Sequence, residues 1–224
     1  MQMLNKTIIY YSSNRENPRF ERQVVETMLH NRCGLPMISV TQKPMDIGHN
    51  ICVGDVGQSY LNEFRQIYLG ALEATSQYLV FAESDYLYPP DYFAFEPSEP
   101  GKAYRMKNIQ VVFDAKEYPY YYPKSDSDGA QIIDRELFIK QCEIFFEGMP
   151  QWFAGDKNHN MPFRRRFTTH DKNTVRVSLE NPCITFKTGK GVSWSVRADM
   201  KSQLTDVPYW GEITNLKKNY LYVS

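Results

Sequence analysis

Long apolar runs are missing from this sequence. No stretch reaches the roughly 18 consecutive apolar residues of a membrane helix, so no membrane span is expected. The opening MQMLNKTIIYYSSN has no apolar signal-peptide core, and a cytoplasmic protein is expected. Cysteine is scarce: Cys33, Cys52, Cys142 and Cys183 are far apart and form no CxxC. That spacing argues against a structural zinc site and reads as reduced, mostly buried thiols. There is no internal repeat and no low-complexity segment. No charge sign is in excess, since 26 Lys and Arg balance 26 Asp and Glu. The distribution is nevertheless uneven. Residues 83–156 hold 14 acidic and 7 basic side chains, whereas residues 157–201 hold 10 basic and 3 acidic ones. A basic stretch of this kind either meets a polyanionic partner or is a solvated face offsetting the acidic middle.

What is plentiful is aromatic: 16 Tyr, 13 Phe and 3 Trp, many of them in loop-like clusters such as Tyr86-Leu87-Tyr88 and 118–122. Such clusters serve either core and turn packing or stacking on a base or sugar face. Apolar patterning predicts a strand at 6–11 and a helix at 18–31, the latter opened by Asn17-Pro18 and closed by Cys33-Gly34. A second strand at 35–40 completes a β-α-β unit, which calls for a parallel sheet with a right-handed crossover. A short strand at 51–53, a helix at 59–75 and a strand at 78–82 follow. Beyond residue 89 prolines break the chain. Strands are expected at 103–106 and 109–115, an irregular loop at 118–129, a helix at 131–147 with Ile132 and Ile133 on its apolar side, and strands in TVRVSL and CITFK. In this reading Asp134 is a surface acid of the helix. The length suits one core, read as a single α/β domain whose mostly parallel sheet is flanked by helices. Residues 1–93 form its nucleotide-binding half; 94–224 form a smaller, irregular acceptor half with the basic C-terminal segment.

The most telling stretch is Asn62 to Phe93. An amphipathic helix runs into the apolar strand YLVFA, which ends in Glu83-Ser84-Asp85. Carboxylates at the end of a buried strand are costly to desolvate without a cationic partner. Ligands of open α/β sheets bind at that end. A divalent cation carrying phosphates is a natural occupant, because hard cations take oxygen ligands.

Helix, strand and acid-x-Asp stop together resemble the core of GT-A glycosyltransferases, where a DxD-like motif holds Mn or Mg against the diphosphate of a nucleotide sugar. Thr7 to Arg15 resembles that family's first strand and nucleotide-binding loop. Asn62, Arg65 and Gln66 resemble its polar segment before the helix, and Gly129 to Arg135 its acceptor side. The resemblance covers roughly residues 6 to 156. It implies Asp85 as a direct metal ligand, with Glu83 reaching the ribose or a metal-bound water, and His170 as a late further ligand. It implies a nucleotide pocket of Tyr11, Ser12, Asn14, Arg15, Gln42, Arg65, Glu83, Ser84 and Lys190. Within it Arg15 and Arg65 face phosphates, Gln42 meets a pyrimidine in place of the family's usual acid, and Lys190 neutralises the leaving group. The loop around Lys190 lacks the GxxxxGK[ST] spacing of a P-loop. A catalytic base is expected after the acceptor helix, at Asp156 or else at Glu147.

Arg164, Arg165 and Arg166, set between Phe163 and Phe167, are the densest basic cluster. Arginines among aromatics suit a nucleic-acid backbone and unstacked bases. Enzymes resembling this one, small viral ones among them, glycosylate hydroxymethylated pyrimidines in DNA. For a viral enzyme the location would be the host cytoplasm. The expected function is thus metal-dependent transfer of a sugar, UDP-linked first, to an acceptor hydroxyl, with 5-hydroxymethylpyrimidine in DNA as one acceptor. A surface polysaccharide or lipid-linked glycan is the alternative acceptor. A non-catalytic sugar- or nucleic-acid-binding module is the reading from another class.

Overall fold

The computed structural model describes residues 5–113, 121–124, 127–154, 171–190 and 206–222. Strand β1 (Lys6–Ser12) leads into α1 (Pro18–Asn31), β2 (Met37–Thr41), β3 (His49–Cys52), α2 (Tyr60–Glu73) and β4 (Tyr78–Glu83). A two-residue β5 (Tyr86–Leu87), a short α3 (Pro90–Ala94), β6 (Ala103–Met106), β7 (Ile109–Phe113) and β8 (Tyr121–Lys124) come next. After a 3-10 turn at Asp128–Ala130 the chain continues through β9 (Gln131–Asp134), α4 (Arg135–Phe146), β10 (Thr174–Val177), β11 (Cys183–Lys187), β12 (Asp206–Val207), β13 (Gly211–Glu212) and α5 (Ile213–Tyr220).

The main sheet runs β10-β6-β9-β4-β1-β2-β3 and a second runs β5-β11-β7-β8. In the main sheet β1 pairs parallel with β2 and β4, and β2 with β3. Only β9 breaks the direction, lying antiparallel to both β4 and β6. The sheet is therefore mostly parallel and sandwiched by helices, as expected.

Strand periodicity accounts for the layers. Ile8 and Tyr10 of β1 turn to one face and join Val25 and Met28 of α1. Ile9 and Tyr11 turn to the other and join Leu61, Phe64 and Ile67 of α2 with Phe138 and Phe145 of α4. The small sheet closes over Phe20 and Val24 of α1 with Ile184, Phe186 and α5 residues Ile213 and Leu216. Gly70 lets α2 lie close on β1, since a Cβ there would meet Ile9 Cγ2 at 2.8 Å. The helix starts follow their caps. Asn17 Oδ1 accepts from the Arg19 amide at 2.9 Å with Pro18 at the first position, and Ser59 Oγ accepts from the Asn62 amide at 3.1 Å.

Four expectations are corrected. The helix expected over 131–147 is a strand followed by a helix: Ile132 and Ile133 point into opposite cores, the mark of period two, and pair with β4 and β6. Asp134 is not a surface acid but the buried N-cap of α4, accepting from the Leu137 amide at 3.0 Å. The loop expected at 118–129 contains β8, whose pairing with β7 supplies the backbone partners that composition could not reveal. Of the four thiols only Cys142 and Cys183 are buried; Cys33 and Cys52 are exposed. Among the described residues no helix is long and apolar enough to cross a membrane.

Candidate functional site

An open cleft lies at the carboxyl ends of β1 and β4, the end of an α/β sheet where ligands bind. Its floor is built by β1. Tyr11, Ser12 and Ser13 reach it as the strand ends, and Gln66 of α2 fixes that end by donating to the Ser12 and Val40 carbonyls at 2.9 and 2.8 Å. Beneath the floor, the buried Glu21 of α1 accepts from the hydroxyls of Tyr10 at 2.8 Å and Ser12 at 2.5 Å.

One side of the cleft is the segment before α2. Asn62 donates to the Val56, Gly57 and Phe153 carbonyls at 2.7, 3.1 and 2.9 Å, and accepts from the Phe153 amide at 2.7 Å. Gln42, just past β2, donates to the Gly57 carbonyl at 2.7 Å. That leaves its buried Oε1 without a hydrogen-bond partner. Among the described residues few such atoms exist, and this one belongs to a residue of the cleft lining.

The opposite side carries the acids. Glu83, Ser84 and Asp85 come off β4, Glu63 sits in the first turn of α2, and Asp128 faces in from the 3-10 turn with Lys124 and Ser127. Tyr11 donates to Glu83 Oε1 at 2.7 Å, and the Asp85 carbonyl accepts from the Phe186 amide at 2.8 Å. Lys124 donates to Ser127 Oγ at 2.8 Å. At the rim Glu16 accepts from the Thr188 hydroxyl at 2.8 Å, while Gln58 donates to Ser13 Oγ at 3.2 Å and to the Lys190 carbonyl at 2.7 Å.

Glu16, Glu63, Glu83, Asp85 and Asp128 thus share one cleft with two lysines, Lys124 and Lys187. Burial, then Asp85 and Asp128, push the Glu83 carboxyl up to about 8, against the Tyr11 hydrogen bond that favours its charged form. Glu63 is driven upward by burial first and by Glu83 and Asp128 next. Burial and then Asp85 raise Glu16 to about 7. Desolvation lowers the Lys124 ammonium despite Asp128. Carboxyls crowded in this way hold protons, and a cation entering the cleft would favour their charged forms and could carry a diphosphate with it. Among the described residues no three His, Cys, Asp or Glu side chains form a metal-holding group by themselves. The donor set instead fits a hard cation held by one or two carboxylates and completed by phosphate oxygens and water. Asp85 and Glu83 are the pair that could hold it.

Of the residues singled out in the sequence, Tyr11, Ser12, Gln42, Glu83, Ser84 and Asp85 come together in the cleft lining. Asn14, Arg15, Arg65 and Lys190 are not part of it. Asn14, at φ 52°, braces its own loop by accepting from the Lys43 amide at 2.8 Å. Arg15 pairs with the exposed Asp55 at 2.7 Å. Arg65 faces α4 rather than a diphosphate: its guanidinium lies 3.7 Å over the Phe146 ring and donates to the Pro150 carbonyl at 3.2 Å. Glu147 is exposed at the C-cap of α4, away from the cleft. Asp156, His170, Arg164, Arg165 and Arg166 lie outside the described residues. Sequence reasoning missed Glu16, Glu63, Lys124, Asp128 and Lys187. Glu63 was recoverable from helical spacing, being one turn from Gln66. The others depend on contacts between distant segments.

No family model matches the chain, and no curated protein matches it. Among solved structures it is similar to residues 1–349 of TarS from S. aureus, determined with UDP-GlcNAc: the TM-score is 0.52 at 11% identity, covering 85% of this chain and 61% of that one. The fold is of the GT-A type. The chain spans less than two thirds of the TarS fragment. Other similar structures are the catalytic domain of Drosophila β1,4-galactosyltransferase 7 with xylobiose (TM-score 0.43, 20% identity, 89% of this chain and 75% of that one) and the mannosyltransferase PcManGT of Pyrobaculum calidifontis with GDP-Man and Mn2+ (0.43, 11%, 82% and 56%). At these identities the likeness concerns the GT-A fold, and the chemistry rests on the cleft.

Proposed function

We propose that this chain is a metal-dependent glycosyltransferase that moves a sugar from a nucleoside-diphosphate sugar to an acceptor hydroxyl. The observation that carries the reading is the carboxyl cluster around Asp85, at the carboxyl end of a GT-A sheet and in a polar cleft. Asp85, with Glu83, holds Mn or Mg, which when bound supplies charge neutralisation for the departing diphosphate. Tyr11, Ser12 and Ser84 line the donor pocket. One N–H of the Gln42 amide is engaged by Gly57 while its Oε1 has no partner, which favours a base that presents an N–H to it, and a UDP-linked donor is expected. Arg15 and Lys190 sit on the loops that border the cleft, where they can meet phosphate oxygens. Arg65 has no part in this.

The catalytic base is assigned to Asp156. It follows a segment whose Phe153 is held by Asn62 and whose Ala154 lies against Gly57 of the cleft. Glu147 has no comparable support. His170 as a further ligand rests on sequence alone. So does the acceptor: Arg164 to Arg166 suit a polyanion, and DNA carrying hydroxymethylpyrimidines is the acceptor proposed. The domain reading keeps the donor mainly on 1–93 and the acceptor on 94–224, with Lys124, Ser127, Asp128 and Lys187 reaching the donor cleft from the second half.

The test is incubation with UDP-, GDP- and dTDP-sugars, with Mn and with EDTA. Mn-dependent release of a nucleoside diphosphate from one donor class is expected even without acceptor. Pyrophosphate release from a nucleoside triphosphate and a sugar phosphate would assign nucleotidyl transfer instead. Binding without any turnover would leave a binding module.

A further inference from the structure

Strands β4 and β9 pair in one antiparallel register: Tyr78 with Asp134, Leu79 with Ile133, Val80 with Ile132. The ladder stops there, although β4 continues beside β1 to Glu83 and β9 beside β6 to Gln131. Carried on in the same register, the next inward positions would be Phe81 facing Gln131, Glu83 facing Gly129 and Asp85 facing Ser127. Tyrosine hydroxyls bridge the first two, and a third reaches the side chain of Ser127. The Tyr92 hydroxyl bridges the carbonyls of Phe81 and Gln131 at 2.8 and 2.9 Å. The Tyr88 hydroxyl accepts from the Glu83 amide at 2.9 Å and donates to the Gly129 carbonyl at 2.6 Å. Tyr86, which follows Asp85 in the chain, donates its hydroxyl to Ser127 Oγ at 2.9 Å.

The three rings form a stack. Tyr86 and Tyr88 lie 5.4 Å apart at 16°, and Tyr88 and Tyr92 lie 4.7 Å apart at 25°. All three are fully buried. Gly129 completes the seam, because a Cβ there would run into the Glu83 carboxylate.

We propose that Tyr86, Tyr88 and Tyr92 are positioning residues that replace a backbone ladder with side-chain hydroxyls. They hold the end of β4 away from the Ser127–Gly129 segment and so keep Glu83 and Asp85 at a fixed separation from Asp128 and Lys124. The cleft exists because the two strands are wedged open here rather than zipped. The functional consequence, though not the geometry, rests on the nucleotide reading above.

The test compares Tyr88→Phe with Tyr104→Phe. Tyr104 is an equally buried tyrosine whose hydroxyl accepts from the Glu99 amide at 2.7 Å, off this seam. Hydrogen exchange of the backbone is read first. Leaving the Glu83 amide and Gly129 carbonyl unpartnered is expected to speed exchange about tenfold at 83–86 and 127–131, with 78–80 and 132–134 unchanged and no seam effect in Tyr104→Phe. Calorimetry with Mn and UDP comes second, where Tyr88→Phe is expected to bind about tenfold more weakly and Tyr104→Phe like the wild type. Seam exchange in Tyr88→Phe equal to that in Tyr104→Phe overturns the inference. Faster exchange with unchanged affinity reduces the tyrosines to packing and also overturns it. If wild type binds no nucleoside diphosphate, the donor reading fails and the exchange result still decides whether the hydroxyls hold the walls. Should Tyr88→Phe not fold, Tyr86→Phe, which loses only the Ser127 link, is expected to loosen 127–130 alone.

Discussion

Asp85 and Glu83 are two residues apart yet differently placed. Glu83 is tied by Tyr11 and driven toward its neutral form, whereas Asp85 has no such tether among the described hydrogen bonds of its carboxylate. Asp85→Asn is therefore expected to abolish the metal-dependent part of nucleotide binding, a loss of tenfold or more, while leaving the melting temperature without ligand almost unchanged. Calorimetry with Mn and with EDTA checks it. Glu16 gives a pH signature. Its carboxyl is raised from 4.5 to about 7, so below the unfolded value both states are protonated and the fold bears no penalty. As pH rises toward 7 the unfolded chain ionises first, and the fold loses stability. Glu16→Gln keeps an acceptor for the Thr188 hydroxyl and removes that penalty. Its advantage is expected to be absent at pH 4, to grow between about 4.5 and 7 and then to level, reaching on the order of 1–2 kcal/mol after solvent screening. Parallel melting curves against pH for the two proteins would refute the assignment. Gly129→Ala forces a methyl against the Glu83 carboxylate. It should cost about 1–3 kcal/mol, read as a melting point lower by several degrees.

At the scale of elements, the sequence was most legible where one period held over many residues. Helix α1 matches its expected bounds, since Asn17-Pro18 and the apolar spacing agree. Strands β1, β4 and β6 appear where apolar runs placed them. The failure at 131–147 has a definite cause. Two adjacent isoleucines fit a helix face as well as a strand buried on both sides, and only the neighbours β4 and β6 decide. If Asp134 caps a helix beginning at Arg135, Asp134→Ala should cost about 1 kcal/mol. A substitution at a solvated mid-helix position would cost almost nothing, and thermal melting separates the two. The candidate site was legible in part for the same reason. Residues that end predictable strands, such as Ser12, Glu83 and Asp85, could be placed by topology. Lys124, Asp128 and Lys187 reach the cleft from strands and turns brought in by long-range pairing. Arg65, expected to face the diphosphate, lies over Phe146 of α4, a contact that the sequence of α2 alone does not reveal.

At the scale of the molecule, the proposed use for the carboxyls at the open end of the GT-A sheet is a cation brought in with a diphosphate. In the proposed reading the basic segment at 157–201 would serve the acceptor. If that acceptor is DNA, alanine at Arg164, Arg165 and Arg166 should weaken DNA binding and flatten its salt dependence by up to about three phosphate contacts, with nucleotide binding kept; a filter-binding titration against salt reads both. The central claim, that the carboxyl cleft binds a metal–nucleoside diphosphate, is tested most directly by thermal melting with UDP, GDP, ADP, CDP and dTDP, in Mn and in EDTA. A ligand at about 100 times its dissociation constant adds roughly 2.7 kcal/mol, which for a chain of this size is a rise of about 5–10 °C. The account predicts such a rise with UDP in Mn, lost in EDTA and in Asp85→Asn. No shift with any diphosphate, or a shift indifferent to metal and to Asp85, would contradict it.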